Sequence, residues 1–372
     1  MIKQIHRRGL LLSAGLAALP SLAWAQGNSK GLQFPRDFGA HPAQALEWWY
    51  LTGVLNDVAQ RQQGQPRFGY QLTFFRLRGP APQDHPSRFA ARQLLLAHAA
   101  VTDLKGAQLH HDQRLARAGF GIAEASEADC NVHLRDWFLR REAAGYRAGF
   151  ASKSAGFALE LRLQSAQAPL LQGQQGLSRK GPDPAQFSHY YSQVQLQTEG
   201  RLQLAGKTFQ LKGRSWLDHE WSDNLLGSRS AAEQAVGWDW AGINLLDGGA
   251  LTVFRLRRAD GSQLWAGGSW RKPGGATLDF APAQISMRPQ RLWRSPASGA
   301  NYPVEWQIDT PLGRLTLRSL LDAQEIDARA STGMRYWEGA AELLSADGQR
   351  TGLGYLELTG YAGGMKLLQS PG

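Results

Sequence analysis

The chain repeats itself, and that repeat constrains its fold more than any other feature. Thr73-Phe74-Phe75-Arg76-Leu77-Arg78 returns as Thr252-Val253-Phe254-Arg255-Leu256-Arg257. An aromatic opening precedes each copy: Trp48-Trp49-Tyr50-Leu51-Thr52-Gly53 in the first, Trp238-Asp239-Trp240-Ala241-Gly242 in the second. Tyr190-Tyr191-Ser192 is echoed by Tyr336-Trp337-Glu338-Gly339, and Gly213-Arg214-Ser215-Trp216 by Gly354-Tyr355-Leu356-Glu357. Two domains are expected, over residues 34–225 and 226–372.

The local pattern is that of strands. Residues 47–55 are rich in aromatic and β-branched side chains. Along Phe68–Arg78, Tyr70, Leu72 and Phe74 alternate with Gln71 and Thr73. Residues 94–102, 159–163, 194–196, 201–204 and 251–257 read alike. Helical periodicity is scarce, and the 42 glycines and 17 prolines serve turns. The class is all-β, and short antiparallel strands in this number avoid open edges by closing into barrels. Residues 27–38 read as a flexible lead-in, and His110-His111 as the start of a polar turn.

The N-terminus reads as an export signal. His6-Arg7-Arg8-Gly9 is a basic start with paired arginines, Leu10 to Leu19 is apolar, and Ala23-Trp24-Ala25 suits cleavage before Gln26. The apolar run is too short to span a bilayer. A twin-arginine signal over residues 1–25 and a periplasmic or secreted destination are expected. Without Lys3, Arg7 and Arg8, 41 − 3 basic residues against 31 acidic ones leave +7. The arginines are scattered along strands, with no run that would bind nucleic acid. The sole cysteine, Cys130, reads as a small buried hydrophobe, with no disulfide framework.

Chemistry concentrates in Ser215-Trp216-Leu217-Asp218-His219-Glu220-Trp221-Ser222. Three consecutive titratable groups between indoles suit a strand end that opens into a partly apolar cavity, where pKa values are perturbed. Strand alternation points Asp218 and Glu220 one way and His219 the other. A purely structural role, holding two barrels together, suits the same residues. Glu47 is expected either to reach the cavity or to pair with an arginine, and Asp239 divides likewise. Trp-rich openings suit barrel-floor packing. His98, on an apolar strand, suits a hydrogen-bonded core position. His189 and His219 with Asp218 or Glu220 match no standard zinc spacing. No Gly-x-Ser-x-Gly elbow occurs.

The chain resembles the AttH-like and hydroxyneurosporene synthase (carotenoid 1,2-hydratase) family, also labelled predicted secreted hydrolases. The marks are Glu47-Trp48-Trp49-Tyr50, Tyr190-Tyr191-Ser192, residues 215–222, Gly237-Trp238-Asp239-Trp240, Tyr302-Pro303-Val304 with Trp306, Tyr336-Trp337-Glu338-Gly339 and residues 354–361. The resemblance implies two consecutive lipocalin-like (calycin) β-barrels. The hydratase branch looks like it carries a Tyr-x-Asp motif whose Asp protonates a carbon–carbon double bond. Trp216 and Asp218 occupy those positions, with Trp in place of Tyr, and an upstream aromatic of that branch falls at Tyr190 or Tyr191.

An ordinary aspartate has a pKa near 3.9, and an apolar cavity would raise it until the acid form persists at neutral pH. The expected catalytic set is Asp218 as acid, His219 or Glu220 as base for water, and Tyr191 beside them. Trp216, Tyr190, Trp221, Glu47, Trp49, Trp238 and Asp239 are expected to contact a hydrophobic isoprenoid or lipid-like ligand. This chemistry needs no metal and no organic cofactor. The alternative is a non-catalytic periplasmic carrier of such a ligand, serving a membrane transporter. A structural module would have a filled first barrel and no pocket beside Tyr191 and Asp218.

Overall fold

A computed structural model describes residues 31–59, 65–82, 84–143, 145–225 and 235–364. The proposed signal segment and its cleavage site lie outside them.

The first sheet contains β1 (Leu46–Asp57), β2 (Phe68–Arg78), β3 (Gln93–Asp103), β4 (Gln108–Arg117), β5 (Ala123–Ala125), β6 (Asn131–Leu134) and β7 (Trp137–Glu142). It continues with β8 (Gly145–Ser152), β9 (Phe157–Gln164), β10 (Leu170–Leu171), β11 (Leu177–Arg179), β12 (Phe187–Leu204) and β13 (Lys207–Ser222). The second sheet contains β14 (Gly237–Leu245), β15 (Ala250–Arg257), β16 (Gln263–Arg271), β17 (Thr277–Phe280) and β18 (Ser286–Arg294). Its remaining strands are β19 (Asn301–Thr310), β20 (Gly313–Ser319), β21 (Glu325–Ala328), β22 (Met334–Leu344) and β23 (Arg350–Leu358). No helix among the described residues is long and apolar enough to cross a membrane.

All these pairings are antiparallel, and the expected all-β, tandem lipocalin-like architecture holds. The first sheet runs β4-β3-β2-β1-β13-β12-β9-β8-β7-β6-β5 and curls until its ends approach. There Arg114 Nη1 of β4 donates to the Leu134 carbonyl of β6 at 3.3 Å, so the barrel is nearly closed. Its interior is filled by Trp49, Leu51, Phe68, Phe74, Trp137 and Leu159 among others, each at most 1 % exposed. The second sheet runs β17-β16-β15-β14-β23-β22-β20-β19-β18 around Ile243, Val253, Trp306 and Trp337.

The sequence repeat becomes a repeat of strand order: β2-β1-β13-β12 in the first sheet matches β15-β14-β23-β22 in the second. Each copy buries an acid–arginine pair, Glu47 with Arg76 and Asp239 with Arg255, both at 2.6 Å. Anchoring on these pairs keeps Phe75 opposite Phe254 in the alignment but shifts the aromatic-opening and Tyr190 pairings by two residues. The counterpart of Trp48 is Trp240, not Trp238, and the counterpart of Tyr190 is Glu338, not Tyr336.

The two sheets meet over a third apolar cluster containing Tyr50, Val54, Trp216, Trp240, Phe254 and Tyr355. Polar contacts tie its flanks. On one side the Tyr336 hydroxyl hydrogen-bonds His98 Nδ1 at 2.9 Å. On the other, Asn244 Nδ2 donates to the Ser215 carbonyl at 3.1 Å.

Two local expectations are corrected. The lead-in is docked from Leu32 onward: Phe34 and Phe38 stand edge-on to Tyr191 at 5.1 and 5.8 Å and cover apolar surface at the barrel end. His110 and His111 lie within β4, not in a turn, and are partly buried.

Candidate functional site

Between the sheets lies a cavity of about 80 Å³, partly open to solvent. Two equivalent rows of side chains build it. Across β2, β1, β13 and β12 run Phe75, Trp48, Glu220 and Tyr190. Across β15, β14, β23 and β22 run Phe254, Trp240, Glu357 and Glu338. All eight line the cavity, with Tyr50, Asp218, Lys180, Trp238 and Tyr336. Cross-strand neighbours share a face, so the register brings residues distant in sequence to one wall.

Asp218 is 3 % exposed. Ser192 Oγ and Trp216 Nε1 donate to its Oδ1 at 2.5 and 2.7 Å, and the Tyr190 hydroxyl donates to Oδ2 at 2.9 Å. Burial raises its pKa, these three donors lower it, and neighbouring Glu220 raises it again; the outcome is about 7. Asp218 is thus poised between acid and carboxylate near neutral pH.

Glu220 Oε1 pairs with Lys180 Nζ at 2.8 Å. That ammonium sits over the rings of Tyr190 at 4.8 Å and Phe254 at 4.5 Å. Glu357 is pushed up to about 7 by burial, against a hydrogen bond from Trp238 and with Glu220 adding to the rise. Burial and then Glu357 push Glu338 well above the carboxylate range, against the nearby Tyr50 phenol.

Several expected site residues point away from this cavity. Tyr191, His219, Trp221, Glu47 and Trp49 occupy the other face of their strands, on the barrel side, because successive side chains alternate, and none of them lines the cavity. There His219 bridges the Tyr191 hydroxyl at 3.1 Å and Glu47 Oε1 at 2.8 Å. His41 Nδ1 reaches the same Glu47 oxygen at 2.8 Å, and Arg76 Nε donates to Oε2 at 2.6 Å. Trp49 stacks on His219 at 4.6 Å and Trp221 on His41 at 3.7 Å. Asp239 is inside the second sheet, held by Arg255 at 2.6 Å, Arg257 at 3.0 Å and the Tyr361 hydroxyl at 2.8 Å. Tyr190, not Tyr191, is therefore the tyrosine beside Asp218.

The residues brought to the cavity as expected are Asp218, Glu220, Tyr190 and Trp238, with Trp216 behind Asp218. Glu338, Glu357, Tyr50, Trp240 and Ser192 stood in quoted motifs without an assigned role; the acid–arginine anchors of the repeat were the signal that could have found them. Nothing local marked Lys180. His98 is a core histidine, bonded to Tyr336 and, at 2.8 Å, Ser331 Oγ; burial lowers its pKa to about 3.

His41, Glu47 and His219 offer ligand atoms within 4.8 Å of one another, the right chemistry for a metal ion. The Arg76 guanidinium on Glu47 already supplies the positive charge there, which opposes a dication. His189 stacks on Trp221 at 5.5 Å, on the face away from Asp218 and Glu220.

The AttH-like family model matches residues 26–361. The chain belongs to the AttH-like family. It is similar to a crystal structure of a candidate AttH from Nitrosomonas europaea, at 42% identity and TM-score 0.79, over 90% of this chain and 98% of that one. It also shares the fold of kievitone hydratase from Nectria haematococca, at 13% identity and TM-score 0.64, over 90% of this chain and 94% of that one. No curated protein is detectably similar in sequence.

Proposed function

We propose that this AttH-like chain is an exported protein that takes a hydrophobic, isoprenoid or lipid-like ligand into the cavity between its sheets. There it adds water to a carbon–carbon double bond. The observation that carries the reading is Asp218, a buried carboxyl at an aromatic-lined cavity with a pKa of about 7. In its acid form Asp218 gives its proton to one alkene carbon, and the adjacent carbon becomes a carbocation. Aromatic faces such as Trp48, Trp240 and Tyr190 stabilise that cation by roughly 0.5–2 kcal/mol each. Water adds to the cation and passes a proton to Glu220, which replaces His219 in the role of base because it shares the cavity with Asp218. The likeness to kievitone hydratase supports the fold of this reading, and a hydratase on that fold makes the chemistry a natural one to test.

A carrier reading draws on a different observation. Three hydrogen-bond donors already satisfy Asp218, as they would in a carboxyl that only fastens strands together. As a carrier, the protein would deliver the ligand to a membrane transporter.

One experiment separates the two: mass spectrometry of organic extracts from the purified mature protein beside Asp218→Asn. An unsaturated compound retained by the variant, with a product heavier by one water from the native protein, supports hydration. The same unmodified lipid from both proteins sinks it in favour of carriage. Export is tested separately, by replacing Arg7 and Arg8 with lysine; unimpaired export would refute the twin-arginine route.

A further inference from the structure

The two equivalent rows of the cavity differ in their charges. In the first, Glu220 has a cation of its own: Lys180 Nζ lies 2.8 Å from its Oε1 and over two aromatic rings. In the second, the equivalent residue is Glu357, and directly opposite it on β22 stands another carboxyl, Glu338. Among the described residues no lysine or arginine lines that half. Glu338 is 2 % exposed, and its Oε1 has no hydrogen-bond partner. Like charges directly opposite on a sheet are unfavourable, and burying them without a counterion is more so. The walls beside the pair are aromatic: Trp240 neighbours Glu357 in the register, and Tyr50, Trp238 and Tyr336 complete the lining.

We propose that the Glu338–Glu357 pair is the binding subsite for a hydrophobic ammonium group carried by the ligand. Lys180 on Glu220 shows how this cavity holds such a cation, with a carboxylate on one side and ring faces on the other. In the second row that cation comes with the ligand. The assignment deepens the reading of the cavity as a hydrophobic-ligand site by adding a basic nitrogen, and rests on it only for the ligand's place. It does not depend on proton transfer from Asp218.

The test compares benzyltrimethylammonium with its uncharged carbon isostere neopentylbenzene, titrated into the full mature protein and followed by tryptophan fluorescence. The cation is expected to bind about tenfold or more tightly than the isostere. The preference should vanish in Glu338→Gln/Glu357→Gln and persist in Asp218→Asn. Equal affinities, failure of the cation to bind, or a preference that survives the double substitution would each overturn the proposal. Persistence in Asp218→Asn also keeps the result separate from the hydration reading, which the organic extracts of the native protein and that variant decide.

Should the double variant not fold, a pH series on Asp218→Asn gives the answer. The other titratable groups facing the pair are Glu220, paired with Lys180, and the phenols of Tyr50, Tyr190, Tyr336 and Tyr355, which burial pushes well above their ordinary range. A preference for the cation that grows from pH 5 to 8 supports ionisation of the pair, and a flat one overturns it.

Discussion

The Tyr190 hydroxyl donates to Asp218 Oδ2 at 2.9 Å and accepts from Trp240 Nε1, a residue of the opposite sheet, at 3.2 Å. A phenol has one proton to give. While Asp218 is ionised, Tyr190 spends that proton on the carboxylate. Once Oδ2 is protonated, Tyr190 becomes its acceptor, and its own hydrogen is released toward the cavity. The pair thus couples the charge of Asp218 to what the cavity offers a ligand.

Tyr190→Phe tests this coupling. The hydroxyl favours the ionised carboxyl, so its loss should raise the Asp218 pKa by about one unit, the scale of one hydrogen bond to a charged group. Carbon-13 NMR titration of the Asp218 carboxyl reads the shift without a substrate. An unmoved midpoint would mean that the hydroxyl does not serve the ionised form.

Asp218→Asn should change how stability depends on pH. Burial raises the folded pKa from the ordinary 3.8 to about 7, so the folded state holds this proton more tightly than the unfolded chain. The stability it contributes is full below the unfolded pKa and is lost as pH rises toward the folded one. Between pH 4 and 7 the native protein should lose on the order of 2–4 kcal/mol relative to the variant. Glu357 is raised in both proteins and cancels in the difference. Urea denaturation at a series of pH values provides the curves, and parallel curves would refute the raised pKa.

Glu47→Gln acts in the opposite direction. Burial pushes the Glu47 carboxyl up, but the hydrogen bonds from His219 and His41, together with the charges of His219 and Arg76, prevail and hold it well below the usual range. Its stabilisation is present above the unfolded pKa and is lost on acidification through the folded one. The substitution leaves the Arg76 guanidinium buried without its partner, which costs about 3–5 kcal/mol, and blunts the acid limb of unfolding. Ligand retention should survive, because Glu47 lies on the barrel side of β1. A folded variant that no longer holds ligand would return Glu47 to the binding site.

What was legible in the sequence follows from which patterns are local. Period-two alternation placed β1, β2 and β15 to within a few residues and set His219 apart from Asp218, since both depend only on the pleat. The cavity's position was not legible. Trp48 and Trp240 are adjacent to Glu220 and Glu357 only through strand register, and the motif alignment paired Trp48 with Trp238 because it matched letters rather than rungs. The Glu47-Trp48-Trp49-Tyr50 motif misled for a related reason. Its residues divide between two environments, Glu47 and Trp49 in the barrel, Trp48 and Tyr50 at the cavity. Lys180 reached the site from the segment after β11, which carries no periodic signal.

Gly242 is the position where a single methyl group should disturb the cavity without touching a titratable residue. A Cβ there would clash with Trp240 Cη2 and stand 2.8 Å from Trp240 Cζ2 and 2.9 Å from Trp216 Cε2. Both indoles are buried, so neither can swing aside freely. Trp216 is a donor to Asp218 and Trp240 a donor to Tyr190, so displacing the rings loosens both contacts at once. Gly242→Ala should cost about 1–3 kcal/mol in stability, the usual penalty for overpacking a core. It should also raise the Asp218 midpoint, since a donor to the carboxylate is weakened. Affinity for a ligand that fills the cavity should fall about tenfold, the equivalent of 1.4 kcal/mol. Thermal unfolding, the same carboxyl titration and a binding isotherm measure the three effects. A folded variant with an unmoved midpoint and unchanged affinity would show that the tryptophan pair does not position the acid.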